Sequence, residues 1–278
     1  VAARPDAAAV VVQSETFGRT ELTWGALGQQ VANAAHNLAR MGVGKGDRVV
    51  AILPNTETAL IGFLATASLG AIWSICALDM GHAAVVDRFS QIKPKVMIVQ
   101  NRYVHAGVWI DKGPVNAAII DALPSLEQVI AIDDVAPDQT QWSDIIQGDH
   151  KLAPLDVPFD HPLWIVYSSG TTGNPKPIVH GHGGIILEAA KQSLHHDLTE
   201  ADRFCWLTSS GWIMWNAQWM ALGRGAMVAL FDGAPNHPDM TALWRFAQDE
   251  RLTFFGAGAA FFTGCLKAGI SPRDDLDV

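Results

Sequence analysis

The chain has 278 residues, 49% hydrophobic and 17% charged, with 19 Lys and Arg against 28 Asp and Glu for a formal net charge of −9. That apolar share excludes a disordered chain, which needs low hydrophobicity and high net charge. The acidic balance excludes a surface built to wrap nucleic acid, whose phosphates demand a basic face. An anionic ligand must then be held locally, by backbone amides and a few placed cations. The three cysteines, Cys76, Cys205 and Cys265, are far apart and form no CxxC pair. This argues against a disulfide framework or a structural zinc site and points to a reducing cytoplasm. The opening VAARPDAAAV has no basic segment before an apolar core, so no signal peptide is expected there. The start at Val1 rather than Met raises the expectation that residues precede it.

The elements alternate along the chain. Thr23 is a candidate N-cap, followed by Leu27, Val31, Ala34, Ala35, Leu38 and Met41 at helical spacing until Gly42. A strand is predicted at Val49–Leu53 and a helix at Thr56–Leu69. The uncharged run 59–78, ALIGFLATASLGAIWSICAL, is 20 residues long, the length of a bilayer span. Gly62 and Gly70 interrupt it and basic flanks are absent, so it reads instead as a buried helix and then a strand at Ala71–Ile75. A helix at Ala83–Gln91 leads to strands at Val96–Val99 and Gln128–Ile132. Strands and helices at this spacing predict a mostly parallel sheet with helices on its faces.

Residues 133–162 are rich in proline and acids and read as a surface connection. We expect two α/β subdomains, residues 1–158 and 159–278. The second holds strands at Leu163–Tyr167, Phe204–Leu207, Ala226–Phe231 and Thr253–Phe255. Its helices are expected at Gly184–Leu194, Met214–Leu222, Trp244–Asp249 and Ala259–Ala268. The last of these would expose Phe261, Phe262 and Leu266 and invite self-association.

The strongest local signal is Tyr167–Pro177, YSSGTTGNPKP, a run of small hydroxyl and glycine residues after a strand and before a lysine. Glycines let backbone N–H groups approach an anion, hydroxyls add donors, and the lysine adds charge. The composition equally fits a Ser/Gly/Thr surface loop. It is not a P-loop of the GxxxxGK[ST] type, because Gly173 is followed by Asn174. That spacing disfavours a P-loop kinase.

These residues resemble the signature [YF][TS]SG[ST]TGxPK of the adenylate-forming superfamily, matched by Tyr167, Ser168, Ser169, Gly170, Thr171, Thr172, Gly173, Pro175 and Lys176. The continuation PIVHGHGG and the segment FCWLTSSGWIMWNAQWMALGRGAMVALFDG resemble the acetoacetyl-CoA synthetase group within it. AARPDAAAVVVQSE, GVGKGDRVVAILPN and the block from GAIWSICALDMG to VVDRFSQIKPKV fit the same group. The resemblance implies two stacked α/β subdomains and, beyond these residues, a mobile C-terminal lid domain. It implies activation of acetoacetate by Mg-ATP to an acyl-adenylate with release of pyrophosphate, and then transfer to CoA. Ser168, Ser169, Gly170, Thr171, Thr172, Gly173 and Lys176 would hold the ATP phosphates. Gly81, Arg88 and Arg102 would meet CoA, although NRYVHAGVWID carries fewer cations than the family tends to place there.

Gly211, Trp212, Ile213, Met214, Trp215 and Asn216 would wall the acid pocket, with Asn216 as its polar handle. Read without the resemblance, the tryptophans and Met214 are ordinary core at helical spacing. The resemblance places no catalytic residue and no Mg2+ ligand within these residues. It places the adenine-binding turn, the ribose-binding aspartate and a catalytic lysine further on, so a longer enzyme is expected. His180 and His182 read as structural rather than metal-binding, and Arg88 as paired with Asp87 or another surface acid if it does not meet CoA. The remaining alternative is a stand-alone, non-catalytic nucleotide-binding or interaction module.

Overall fold

The computed structural model describes residues 4–168 and 173–275. Strands β1 (Ala8–Ser14) and β2 (Gly18–Thr23) open the chain as an antiparallel hairpin not expected from the sequence pattern. Thr23 caps α1 (Trp24–Arg40) as expected, its side chain accepting from the Ala26 N–H at 3.1 Å. β3 (Arg48–Ile52), α2 (Glu57–Ser68), β4 (Ile72–Cys76), α3 (His82–Ile92) and β5 (Val96–Val99) follow close to their predicted bounds. The apolar run 59–78 is thus a helix, a turn at Gly70 with φ 65°, and a strand. Among the described residues no helix is long and apolar enough to cross a membrane.

A small hairpin, β6 (Arg102–His105) and β7 (Val108–Asp111), and then α4 (Gly113–Asp121) precede β8 (Gln128–Ala131). Within the expected connection lie β9 (Thr140–Gln141) and α5 (Trp142–Ile145). Trp142 and Ile145 are buried, and Asn33 of α1 donates to the Ile146 and Gly148 carbonyls at 2.8 and 2.9 Å. β10 (Pro162–Ser168) and β11 (Lys176–Gly181) bracket the small-residue loop, and α6 (His182–His196) and β12 (Arg203–Trp206) follow. A 3-10 turn at Ile213–Trp215 runs into α7 (Asn216–Gly223) and then β13 (Met227–Asp232). Last come α8 (Ala242–Asp249), β14 (Phe254–Gly256), α9 (Ala259–Lys267) and α10 (Pro272–Asp275).

Among the described residues two large sheets result, ordered β11-β10-β4-β3-β5-β8-β9 and β14-β12-β13-β1-β2, beside the separate antiparallel β6–β7 pair. Pairing within the two large sheets is parallel except at β10–β11 and β1–β2. The mixed α/β class with mostly parallel sheets is as expected. The sheets do not divide at residue 158, however: β1 pairs with β13, and β10 pairs with β4. The reason is the open edge of a two-stranded hairpin. β1 and β2 alone would leave one backbone edge unpaired and both faces of Val10–Val12 uncovered.

Alternation explains why the strands read as continuous apolar runs. Val49 and Ala51 of β3 face a central core between the sheets, shared with α1, α2 and α7, whereas Val50 and Ile52 face a second core with α3 and α4. In β13, Val228 and Leu230 face the central core, whereas Met227, Ala229 and Phe231 face a third core with α8 and α9. Both sides are covered, so both side-chain sets are apolar. The third core corrects one expectation: Phe261 of α9 is buried there, which leaves Phe262 and Leu266 as the exposed apolar residues of that helix. Replacing the cap, Thr23→Ala, is expected to cost about 1 kcal/mol, read as a lower urea midpoint at unchanged slope.

Candidate functional site

The loops that leave the carboxyl ends of β3, β4, β12 and β13 meet in one crevice, where ligands of open α/β sheets bind. A cavity of about 300 Å³ opens there, lined by Asn55, Asp79, Tyr103, Ser209, Ser210 and Asp232 among others. The segment 207–211 is strapped across the strand ends. Ser210 Oγ donates to the Leu53 carbonyl at 2.7 Å. A Cβ on Gly211 would stand 3.3 Å from the Ala77 nitrogen, so the close approach of the two backbones favours glycine. None of Asn55, Ser210 and Asp232 stood out in the sequence. Asn55 and Asp232 are polar residues closing apolar runs, and Ser210 is one of several hydroxyls in LTSS, patterns shared with many strand ends.

The small-residue loop leaves sheet one strand further along. Ser168, the last residue of β10, pairs across from Lys176, the first of β11. Ser169, Gly170, Thr171 and Thr172 lie outside the described residues. Gly173 has φ 156° with open space where a Cβ would stand, and the Lys176 side chain is exposed. The exposed lysine and the uncovered glycine backbone suit an anion arriving from solvent.

The three expected CoA residues are not equally placed. Gly81 caps the start of α3 with open space around its Cα. Arg88, on the same helix, donates to the Ala84 carbonyl at 2.6 Å and lies over the Tyr167 ring, 5.7 Å from its centroid. It therefore turns toward the root of the loop, with no ion pair to Asp87. Arg102, on β6, is engaged elsewhere, 3.5 Å from Asp134 and stacked on Trp109 at 5.3 Å. The exposed Arg102 pair is the kind that contributes little to stability.

The six expected acid-pocket residues also separate. Ile213, Met214 and Asn216 line a cavity of about 580 Å³ with Ile185 and Gln192 of α6 and with Phe254. Asn216 is buried and its amide oxygen already accepts from Trp219 Nε1 at 3.1 Å, so a ligand would meet its NH2 end. Trp212 is 69% exposed, outside that cavity. Trp215 points the other way and is fully buried, 5.2 Å from the Trp164 ring and 6.0 Å from that of Phe63. Its indole N–H donates to Asn55 Oδ1 at 3.0 Å. The 3-10 turn is responsible, because at roughly three residues per turn its successive side chains leave in different directions. Trp215 is therefore core, and the expected wall shrinks to Ile213, Met214 and Asn216.

Other groups are set by burial. The Cys76 and Cys205 thiols are both pushed up to about 12, so neither is a nucleophile near neutral pH. Burial and the neighbouring His161 lower the pKa of His182, whose Nε2 has no partner among the described residues. Among the described residues no group of three or more His, Cys, Asp or Glu is placed to hold a metal ion.

Asp232 accepts from Ser14 Oγ at 2.6 Å, yet burial raises its carboxyl from the ordinary 3.8 to about 6. A carboxyl whose pKa is higher folded than unfolded contributes stability below the unfolded value and loses it as pH rises through the folded one. Asp232→Asn is therefore expected to abolish a fall in stability between pH 4 and pH 6, read from urea midpoints across that range. Trp215→Ala is expected to cost about 3–5 kcal/mol, whereas Trp212→Ala should stay within about 0.5 kcal/mol of the unaltered chain. Equal losses for the two would contradict the separation of core from cavity.

Three comparisons bear on this geometry. The family described as AMP-binding enzyme matches residues 1–277. The acetoacetyl-coenzyme A synthetase of Rhizobium meliloti (strain 1021) is 38% identical over 97% of this chain and 43% of its own length. That of Rattus norvegicus is 37% identical over 92% of this chain and 41% of its own. Among solved structures, acetoacetyl-CoA synthetase from Streptomyces lividans superposes with a TM-score of 0.96 at 41% identity, over 99% of this chain and 44% of that one. The chain thus spans less than half the length of each. With a family match along almost its whole length and the same arrangement of sheets and loops, the chain belongs to the AMP-binding enzymes.

Proposed function

We propose that this chain supplies the phosphate loop and part of the acid pocket of an ATP-dependent acid–CoA ligase whose acid is acetoacetate. The observation that carries the reading is the pair of sites described above. An anion loop with an exposed lysine leaves β10, and the GWIMWN segment presents Ile213, Met214 and Asn216 to a cavity beside α6. ATP enters as its Mg2+ complex. The acid carboxylate attacks the α-phosphate, the bond to the β,γ-phosphates breaks, and pyrophosphate leaves. The CoA thiol then displaces AMP from the mixed anhydride, giving the thioester. Ser168, Gly173 and Lys176, with Ser169, Gly170, Thr171 and Thr172, neutralise the departing pyrophosphate. Such fixed donors act where charge develops and need no rearrangement during the step. Asn216 offers an N–H to the 3-oxo group, and Met214 bounds the length of the acyl chain. CoA contacts fall to Gly81 and residues near it, because Arg88 and Arg102 are turned elsewhere.

The test is pyrophosphate release by the protein that carries these residues, expressed at the full length its gene encodes, with acetoacetate, acetate, butyrate and octanoate. Acetoacetate is expected to be fastest. Equal or faster turnover with octanoate overturns the substrate, and no release with any acid overturns the ligase reading. Lys176→Ala should raise the adenylation barrier by about 1–3 kcal/mol and leave the melting temperature nearly unchanged.

A further inference from the structure

One helix touches both ends of the small-residue loop. At the first end, Tyr167 precedes Ser168 in β10, and its hydroxyl donates to the Arg88 carbonyl of α3 at 2.8 Å. Burial raises the Tyr167 pKa well above the ordinary phenol value, so the hydroxyl stays a donor. The Arg88 guanidinium covers the face of the same ring. At the second end, Gln91 Nε2 donates to the Pro175 carbonyl at 2.9 Å, immediately before Lys176, and to the Asp87 carbonyl at 2.6 Å. Positions 88 and 91 are three apart and so share one helix face. The sheet offers less restraint here. β11 is an edge strand, paired on one side only, and Ile178 and Val179 are exposed.

We infer that Tyr167 and Gln91 are positioning residues for polyphosphate binding, tethering the two stems of the loop to α3 so that Ser168, Gly173 and Lys176 stand ready for the anion. The inference rests on the ligase reading above. Its physical basis is preorganisation, since stems fixed to a helix lose less conformational freedom when the ligand arrives.

The experiment titrates the protein that carries these residues, at the full length its gene encodes, with inorganic tripolyphosphate by calorimetry, at low and high salt. It compares the unaltered chain with Gln91→Leu, Tyr167→Phe and Lys176→Ala. Gln91→Leu and Tyr167→Phe are each expected to weaken binding by about 2–10-fold, the range of one lost neutral hydrogen bond. That factor should be the same at both salt concentrations, because neither change alters charge. The melting temperature of Gln91→Leu should not move, as Gln91 is exposed. The Lys176→Ala deficit should instead shrink as salt rises. If Lys176→Ala binds less tightly while Gln91→Leu and Tyr167→Phe bind like the unaltered chain, the tether is overturned and the phosphate loop stands. If the unaltered chain binds nothing, or Lys176→Ala binds as tightly as it does, both fall.

Discussion

Trp215 ties the two sheets of this protein together. Its ring packs edge-on against Trp164 of β10 and Phe63 of α2, and its indole N–H must be satisfied because no water reaches it. Asn55, at the end of β3, accepts that proton and offers its own amide to the Phe231 carbonyl of β13, 3.4 Å away. One buried side chain therefore bridges the end of one sheet to the end of the other. The segment 207–211 can then lie across the crevice, with Ser210 on the Leu53 carbonyl and Gly211 against the Ala77 nitrogen. Ile213 and Met214 are placed by the same turn. They face the cavity because their neighbour Trp215 faces the core.

In this acidic chain, an exposed cation, an uncovered glycine and a partly covered arginine gather beside one strand end. Lys176 is the exposed cation of the loop stem, Gly173 leaves its backbone uncovered, and Arg88 is drawn in beneath Tyr167. Most other cations are spent on structure. Arg19 and Arg203 both pair with the buried Glu250, Arg245 pairs with Asp239, and Arg102 pairs with Asp134. Burying Glu250 between two guanidinium groups is tolerable only because both donate to it, since an unpaired buried carboxylate would be strongly unfavourable.

The helix α3 links two parts of the site that are distant in sequence. It begins three residues after Asp79, which lines the crevice, and its later residues, Arg88 and Gln91, meet the stems of the small-residue loop. Helices pack as rigid units, so the two parts share one positional reference.

The sequence by itself determined the α/β class, most of the core strands and helices, and the place of the small-residue loop after β10. These are local properties. Alternation, helical spacing, the Thr23 cap and the YSSGTTGNPKP run each lie within a dozen neighbouring residues. The hairpin β6–β7 is not legible because its four-residue strands carry little periodicity, and the seven-residue β1 is paired by β13, more than two hundred positions away. Only the tertiary structure decided that the sheets exchange strands across residue 158. Only it decided that Trp215 belongs to the core while Met214 faces the cavity, that Phe261 is covered, and that Arg88 lies over Tyr167 while Arg102 pairs with Asp134. Each of those outcomes depends on what a side chain meets from a distant part of the chain. A one-residue change of direction in a turn reverses it without altering the sequence pattern at all.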